Sequence, residues 1–182
     1  MKIKFLHTSD KKIKHIKEKI WQLICLADEE FYPPLSVRDS ENVVFEDKQT
    51  FKPTGKPYIF FNEVMNQHIF AAFEKEVLVG FLSYESDYTN EDLEAYGYDE
   101  TWYVNALIVD DNHRRKGIAN KLYDALEQYA VSRTDDIFTR TWSFNHSHIK
   151  LVKNRGYELV IQLDHHRGKD VHTVYYRKKI EQ

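Results

Sequence analysis

The chain has 182 residues, of which 30% are charged, and its formal charge at pH 7 is −3. This length is typical of one domain that folds without a disulfide or a metal, so we expect a single domain over residues 1–182. The weakly acidic charge disfavours nucleic-acid partners, and one cysteine excludes a disulfide framework. No apolar run approaches the ~18 residues of a membrane span, and no signal-peptide core begins the sequence, so we expect a cytoplasmic protein without membrane contacts.

The first part of the chain predicts a strand followed by a helix. Residues 2–7 alternate loosely between polar and apolar side chains, which predicts a short strand. Ser9 and Asp10 carry side-chain oxygens that can cap a helix. Apolar residues then recur at helical spacing from Ile13 to Ala27, which predicts an amphipathic helix that ends near Pro33-Pro34, because proline cannot continue a helix.

The middle of the chain predicts a long loop and then strands. Residues 36–57 are polar and contain proline and glycine, which indicates a loop, and residues 58–66 predict a short helix. Two apolar runs at 68–73 and 77–84 are separated by three charged residues, which is typical of a hairpin. Residues 102–109 are almost wholly apolar and predict a central strand.

The last part of the chain alternates helices and strands. A second amphipathic helix is expected over residues 119–130. The later predicted elements are a strand at 137–142, a helix at 146–154 ended by Gly156, and a hairpin of strands at 158–163 and 171–178. Hairpins mixed with strand–helix–strand crossovers predict an α/β (α+β) fold with a central mixed, mostly antiparallel sheet of about seven strands and about four flanking helices.

The most informative chemistry lies in residues 109–119, where a buried strand ends, a polar turn follows and a helix begins. The turn contains Arg114, Arg115 and Lys116, and Gly117 stands at the start of the helix. Consecutive N–H groups at a helix N-terminus attract anions, and a small residue lets them approach. The segment therefore predicts a phosphate cradle, although it matches neither a P-loop nor a Gly-x-Gly-x-x-Gly turn. A solvated basic turn before an ordinary helix is the alternative.

Three spaced elements resemble the motifs of the Gcn5-related N-acetyltransferase (GNAT) family. They are Arg114-x-x-Gly117-x-Ala119, similar to the pyrophosphate motif, Leu107-Ile108-Val109, similar to the fourth strand, and Asn145 followed eleven residues later by Gly156-Tyr157. The resemblance covers about residues 103–157. It implies a GNAT-like fold and an N-acetyltransferase domain.

The resemblance also implies a site for acetyl-coenzyme A. The implied cofactor-binding residues are Leu107, Ile108, Val109, Arg114, Arg115, Lys116, Gly117, Ile118, Ala119 and Asn145. Backbone amides of residues 115–119 would hold the pyrophosphate. The backbone of Leu107 and Val109 would pair with the pantetheine arm like an added strand, and one of these amides could polarise the thioester carbonyl. Asn145 would hydrogen-bond the pantetheine, cap the helix that follows it, or do both.

The sequence does not identify the general acid or the general base. Many family members have a tyrosine acid where this chain has Val152, so Tyr103, Tyr157 or water would take its place, or the thiolate would leave unprotonated. An alkylamine with a pKa of ~10.4 must lose a proton before it attacks a thioester. Glu85 and Asp87, at the end of a predicted strand, are the predicted candidates for the general base.

The histidines do not predict a metal site. His146-x-His148 and His165-His166 have no complementary Cys, Asp or Glu spacing, so these residues are expected on the surface or in loops.

The acidic residues bear on the acceptor. No Lys or Arg occurs from Val77 to His113, whereas this stretch contains Glu85, Asp87, Glu91, Asp92, Glu94, Asp99, Glu100, Asp110 and Asp111. Along a cleft these carboxylates would attract cationic substrates; the alternative is a solvated loop.

Taken with the resemblance, the sequence predicts direct transfer of an acetyl group from acetyl-coenzyme A to a primary amine. The amine would belong to a small molecule, of which a cation is one candidate, or to a protein. The alternative is a non-catalytic acyl-coenzyme A sensor with the same fold. A homodimer is compatible with the sequence.

Overall fold

The computed structural model describes residues 1–7, 13–37 and 55–181. The expected helix caps Ser9 and Asp10 lie outside the described residues, as does most of the loop expected over residues 36–57. In the ranges that are described, no helix combines the length and the apolar character that crossing a membrane requires.

Seven strands form one mixed sheet in the order β1-β2-β3-β4-β5-β7-β6. They are Lys2–Leu6 (β1), His68–Glu74 (β2), Val77–Tyr88 (β3), Thr101–Val109 (β4), Asp136–Trp142 (β5), Glu158–Leu163 (β6) and Thr173–Lys179 (β7). Neighbouring strands are antiparallel except β4 and β5, which run parallel. The predicted fold class and the central position of residues 102–109 are therefore confirmed.

Five α-helices accompany the sheet in the described ranges. They are Ile13–Ala27 (α1), Tyr58–Met65 (α2), Glu91–Glu94 (α3), Ile118–Ala130 (α4) and His146–Asn154 (α5). The helix α3 is missing from the sequence prediction because one turn is too short for apolar periodicity. Its only signal is Asn90, whose side chain accepts a hydrogen bond from the Asp92 N–H at 2.9 Å as an N-cap.

The helices cover both faces of the sheet because alternate strand residues point to opposite sides. On one face, Leu23 of α1 and Val64 of α2 pack in a cluster with Ala71 of β2. On the other face, Leu122 of α4 packs in a cluster with Phe70 of β2. The apolar stripes of the amphipathic helices thus become the two cores, and the sheet separates α1 and α2 from α4 and α5.

The strands β4 and β5 pair over a short length and then separate. Three residues of β4, from Trp102 to Val104, oppose three residues of β5 that end at Thr139. In the ladder between β3 and β4, Ala106 and Val104 oppose successive residues of β3, so Asn105 is an extra residue in β4. Such a bulge bends a strand. Beyond it, β4 keeps its pairing with β3, and a groove opens between β4 and β5.

The close approach of β3 to β4 beside this groove depends on Gly80. A Cβ atom at Gly80 would lie 2.9 Å from the backbone oxygen of Ile108. We expect Gly80→Ala to lower the free energy of unfolding by about 1–3 kcal/mol, because either strand must shift to relieve the overlap. Denaturant unfolding measures this loss. The matched control is Gly55→Ala, whose Cβ would meet only the Ser36 oxygen at 4.0 Å. Equal stability of the two variants would contradict the prediction.

Candidate active site

A cavity of about 580 Å³ lies in the groove between β4 and β5. Its walls include residues 103–109 of β4 and 139–142 of β5, together with the N-terminal turns of α4 and α5. Glu30 and Phe31, which follow α1, also line it. Two helix N-termini and one strand edge therefore face the same space, and the volume suits a small-molecule ligand.

The turn before α4 has the geometry of an anion site. Arg115 and Gly117 both have positive φ angles, of 60° and 75°, which fold the chain sharply between Asp111–His113 and the helix. Gly117 is the N-cap of α4, and no side chain caps this helix. A Cβ at Gly117 would meet nothing within 4 Å, so the approach to the first N–H groups is clear. Unsatisfied N–H groups and the helix dipole at this end favour a phosphate.

The basic residues of this turn have different surroundings. Arg114 forms ion pairs with Glu30 and with Asp111, the latter at 2.8 Å, and its Nε donates to the Val109 oxygen at 3.3 Å. The hydrogen bond that Arg114 donates to Glu30 raises the pKa of Arg114 above its ordinary value. Arg114 therefore connects the turn to Glu30 in the segment after α1, and the carboxylates of Glu30 and Asp111 neutralise its charge. Arg115 is exposed and lines the cavity, whereas Lys116 does not line it.

The backbone of β4 presents alternate residues to the groove. The Asp110 N–H donates to the Val79 oxygen of β3 at 2.9 Å. Because the backbone groups of successive strand residues point to opposite sides, those of Ile108 also face β3, and those of Leu107 and Val109 face the groove. The Val109 oxygen accordingly accepts from Arg114 on that side. The backbone groups of Leu107 and Val109, but not those of Ile108, can therefore pair with an extended ligand in the groove as an added strand would.

Asn145 connects β5 with the start of α5. Its Oδ1 accepts from the His148 N–H at 3.2 Å, which confirms the N-cap role, and its Nδ2 donates to Thr141 Oγ1 at 2.9 Å. Asn145 also lines the cavity. A hydrogen bond from Asn145 to a bound ligand stays a prediction.

The expectation that His148 is a surface or loop histidine is wrong. Its ring is half-buried in the cavity wall, with Nε2 3.4 Å from Thr139 Oγ1. Burial lowers its pKa from 6.5 to about 4, so the ring is neutral at pH 7. Helical spacing could have found this placement, since His148 stands four residues before the buried Val152. By contrast, His146 and His165 are exposed as expected, and no group of three or more potential metal ligands occurs in the described part of the chain.

The lowered pKa of His148 predicts a loss of stability in acid. The folded state binds fewer protons at this ring than the unfolded state between pH 6.5 and pH 4, so the stabilisation is complete above pH 6.5 and is lost as the pH falls. We expect His148 to account for a loss of about 2 kcal/mol between pH 7 and pH 5. Unfolding measured at both pH values in wild type and His148→Gln isolates this part. Identical pH dependence of the two proteins would contradict it.

The candidate catalytic residues separate into two groups. Tyr103 is 3% exposed, lines the cavity and stacks on Tyr88 with ring centroids 4.1 Å apart. Glu85 opposes Tyr103 in the ladder between β3 and β4, but Glu85 and Asp87 are both exposed and neither lines the cavity. Tyr157 is buried against Tyr123 of α4 and lies outside the cavity wall.

Val152 gives no room for an acid in its place. The side chain is fully buried, at 0% exposure, in the core between α4 and the sheet. A tyrosine at this position would overfill a packed core, which typically costs 1–3 kcal/mol.

The acidic stretch does not line this cavity. Among the described residues, Glu30 is the one carboxylate in the cavity wall, and it is paired with Arg114. Part of the stretch forms α3 instead, where Asp92 accepts a hydrogen bond from the Tyr175 hydroxyl at 2.7 Å. The basic side chains in the wall are those of Arg114, Arg115, Arg140 and Arg167.

Sequence reasoning missed the β5 wall. Arg140 and Trp142 lie there, and Asn105 across the groove donates from Nδ2 to Gln67 Oε1 at 3.2 Å. The available signal was Arg140 itself, a charged residue in the middle of a predicted strand whose neighbours are buried. A strand pattern alone cannot say that two adjacent strands separate at that residue.

A parallel strand pair that opens into a groove, with an uncapped helix N-terminus at its wide end, forms an elongated binding site with a place for an anion at one end. The comparisons identify the family. A sequence profile of the Acetyltransferase (GNAT) family matches residues 21–157. The chain belongs to the GNAT acetyltransferase family. The family resemblance seen in the sequence is thereby confirmed.

Solved structures of this fold cover nearly the whole chain. An aminoglycoside 6'-acetyltransferase type Ii is 21% identical with a TM-score of 0.69, covering 100% of this chain and 99% of that one. Ribosomal-protein-alanine N-acetyltransferase from Brucella melitensis is 14% identical with a TM-score of 0.64, covering 98% and 99%. The yncA protein of Salmonella typhimurium, solved with its cofactor acetyl-coenzyme A, is 14% identical with a TM-score of 0.63, covering 100% and 95%. A search of curated protein sequences finds no match.

Proposed function

We propose that this protein is an N-acetyltransferase that moves the acetyl group of acetyl-coenzyme A directly to a primary amine. The observation that carries the proposal is the alignment of an uncapped α4 N-terminus, with a clear approach at Gly117, and a β4 edge whose Leu107 and Val109 backbone groups face the same groove. Because strands from both ends of the chain, β1 and β7, belong to one sheet, the proposal includes a single domain over residues 1–182.

The residues present fit this cosubstrate. The first N–H groups of α4 and the exposed Arg115 would hold the pyrophosphate, and Leu107 and Val109 would bond the pantetheine amides. Asn145, held by Thr141, would add a hydrogen bond. Acetyl-coenzyme A supplies an acetyl thioester, and a free β4 amide beside it would polarise the carbonyl oxygen.

Proton transfers would fall to groups near the end of β3 and the start of β4. The attacking amine must become neutral, which costs roughly 4.6 kcal/mol at pH 7 when unaided. Glu85 or Asp87, which are both exposed, would accept the proton of the amine through water. Tyr103 is the tyrosine in the cavity wall and would donate a proton to the departing thiolate.

A non-catalytic acyl-coenzyme A sensor is the second candidate, and the buried Val152 favours it because no acid can act from that position. The two functions differ in turnover. The sensor would bind acetyl-coenzyme A and release no thiol when amines are supplied.

A panel of amines assayed for free coenzyme A and for acetylated product tests the proposal. We expect one thiol released for each amine acetylated, at a rate well above hydrolysis without acceptor. Saturable binding of acetyl-coenzyme A with no amine-dependent thiol release would replace the enzyme with the sensor. The solved relatives named above act on an aminoglycoside in one case and on a ribosomal-protein alanine in another, so the panel includes small amines and peptides.

A further inference from the structure

A positive charge stands in the cavity wall where β4 and β5 begin to separate. Arg140 directly follows Thr139, the last β5 residue that pairs with β4. Thr139 contacts His148 of α5, so alternation along the strand places Arg140 on the opposite face of the sheet, with Phe138. Arg140 is half-buried and lines the cavity. The guanidinium therefore lies at the narrow end of the groove, on the face away from α4 and α5.

The surroundings of Arg140 are aromatic. Its Nη1 donates to the Tyr175 hydroxyl at 3.1 Å, and that hydroxyl donates to Asp92 Oδ2 at 2.7 Å. The ring centroids of Tyr103 and Tyr175 lie 6.0 and 5.9 Å from the guanidinium carbon. Tyr103 raises the pKa of Arg140 above its ordinary value, with a smaller rise from Tyr175, while burial opposes both. The group is charged at every physiological pH.

Arg140 differs from the half-buried Arg155 and Arg177 in its lack of a carboxylate partner. Arg155 binds Glu127 at 2.9 Å, and Arg177 binds Asp136 at 2.6 Å. Within residues 1–7, 13–37 and 55–181, no carboxylate lies within ion-pair distance of Arg140, and Tyr175 is its one hydrogen-bond acceptor. A partly buried charge is costly without a counter-charge, and the planar fork of a guanidinium matches a carboxylate in a bidentate pair.

The position of Arg140 indicates that the acceptor supplies the carboxylate that this arginine lacks. The anion site at Gly117 lies at the wide end of the groove, so an elongated cosubstrate held there directs its far end towards the narrow end, beside Arg140. The acceptor has to reach that end from the face that α4 and α5 leave clear, which is the face of Arg140 and Tyr103. We propose that Arg140 binds a carboxylate of the acceptor, so that the substrates are small amino carboxylic acids. This inference rests on the proposed function.

Matched acceptors test the inference. Each amine is supplied as the free acid and as its carboxamide, for example lysine with lysinamide, and γ-aminobutyrate with its amide. We expect wild type to favour the acid in kcat/KM, and Arg140→Gln to reduce the acid-to-amide ratio at least about tenfold. Intrinsic amine reactivity cancels because the same ratio is compared between two proteins. Arg140→Lys, which keeps the charge and loses the fork, should retain part of the preference.

The control is Arg133→Gln, which removes an exposed arginine that donates to the Tyr129 backbone oxygen at 2.8 Å and does not line the cavity. Its acid-to-amide ratio should equal that of wild type. An equal loss of activity towards acids and amides in Arg140→Gln would overturn the inference. So would a tenfold weaker binding of acetyl-coenzyme A in that variant with an unchanged ratio, because Arg140 would then belong to the cosubstrate site.

A binding measurement separates this inference from the proposed function. With coenzyme A present, N-acetylated amino acids should raise the Tm of wild type more than their amides do, and Arg140→Gln should abolish the difference. If no amine in either series is acetylated but this difference is found, the proposed function fails and the carboxylate site stands. Equal shifts for acids and amides in wild type would overturn the site.

Discussion

Gly117→Asp is expected to lower the affinity for acetyl-coenzyme A at least about tenfold, or ~1.4 kcal/mol, while the protein stays folded. The aspartate would place bulk and a negative charge at the uncapped start of α4, where the pyrophosphate would accept N–H hydrogen bonds. It would also cap those N–H groups itself, because aspartate is a preferred N-cap residue. Titration calorimetry measures the change in Kd.

The control for this substitution is Gly97→Asp. Gly97 has a φ of 79°, close to the 75° of Gly117, and a Cβ at either position meets nothing within 4 Å. Both variants therefore place an aspartate at a similar positive φ with open space around its Cβ, and of the two positions only Gly117 lines the cavity. If both variants bound acetyl-coenzyme A as tightly as wild type, the turn at Gly117 would not be part of the cosubstrate site.

Tyr103→Phe is expected to lower kcat by about a hundredfold or more and to leave the Kd for acetyl-coenzyme A unchanged. The substitution keeps the ring that stacks on Tyr88 and removes the hydroxyl that could protonate the thiolate. Steady-state kinetics with the best amine of the panel gives kcat, and calorimetry gives Kd.

Tyr157→Phe is the matched variant for this prediction. The Tyr157 hydroxyl is buried with no hydrogen-bond partner in the described structure, and it lies outside the cavity wall. Burial raises the pKa of Tyr157 well above its ordinary value. Its loss should leave kcat unchanged and the stability equal or higher, since a buried unpaired polar group is unfavourable. Full activity of both phenylalanine variants would make water the proton donor, or leave the thiolate unprotonated.

The fold could be predicted because its elements are long enough to show a period. The stripe from Ile13 to Ala27 predicted α1, although this helix ends at Ala27 and not near Pro33-Pro34, and the apolar run that ends at Val109 predicted the central strand. The one-turn helix α3 has no such period. The turn at Gly117 could also be predicted, since the anion site is made of backbone groups whose position follows from a strand end and a helix start.

The β5 side of the site could not be predicted, because it depends on where two strands separate. The extra residue Asn105 bends β4, and nothing in the local pattern marks it as a bulge. When the separation of β4 and β5 is not known, Arg140 is only a polar residue in a predicted strand, and His148 is only a histidine on a short predicted helix. Similarly, the charge of Arg114 suggested a contact with phosphate. Its ion pair with Glu30 could not be predicted, because the two residues lie far apart in the sequence.

Residue-resolved hydrogen exchange with and without saturating acetyl-coenzyme A tests most directly the claim that the cosubstrate lies along β4 and against α4. The account predicts slower exchange at the amides of Leu107 and Val109 and at residues 117–119. The Ile108 amide should change little, since it already faces β3. The β1 strand, at the far edge of the sheet, should be unaffected. Unchanged exchange at Leu107, Val109 and the start of α4 while acetyl-coenzyme A is bound would contradict the account.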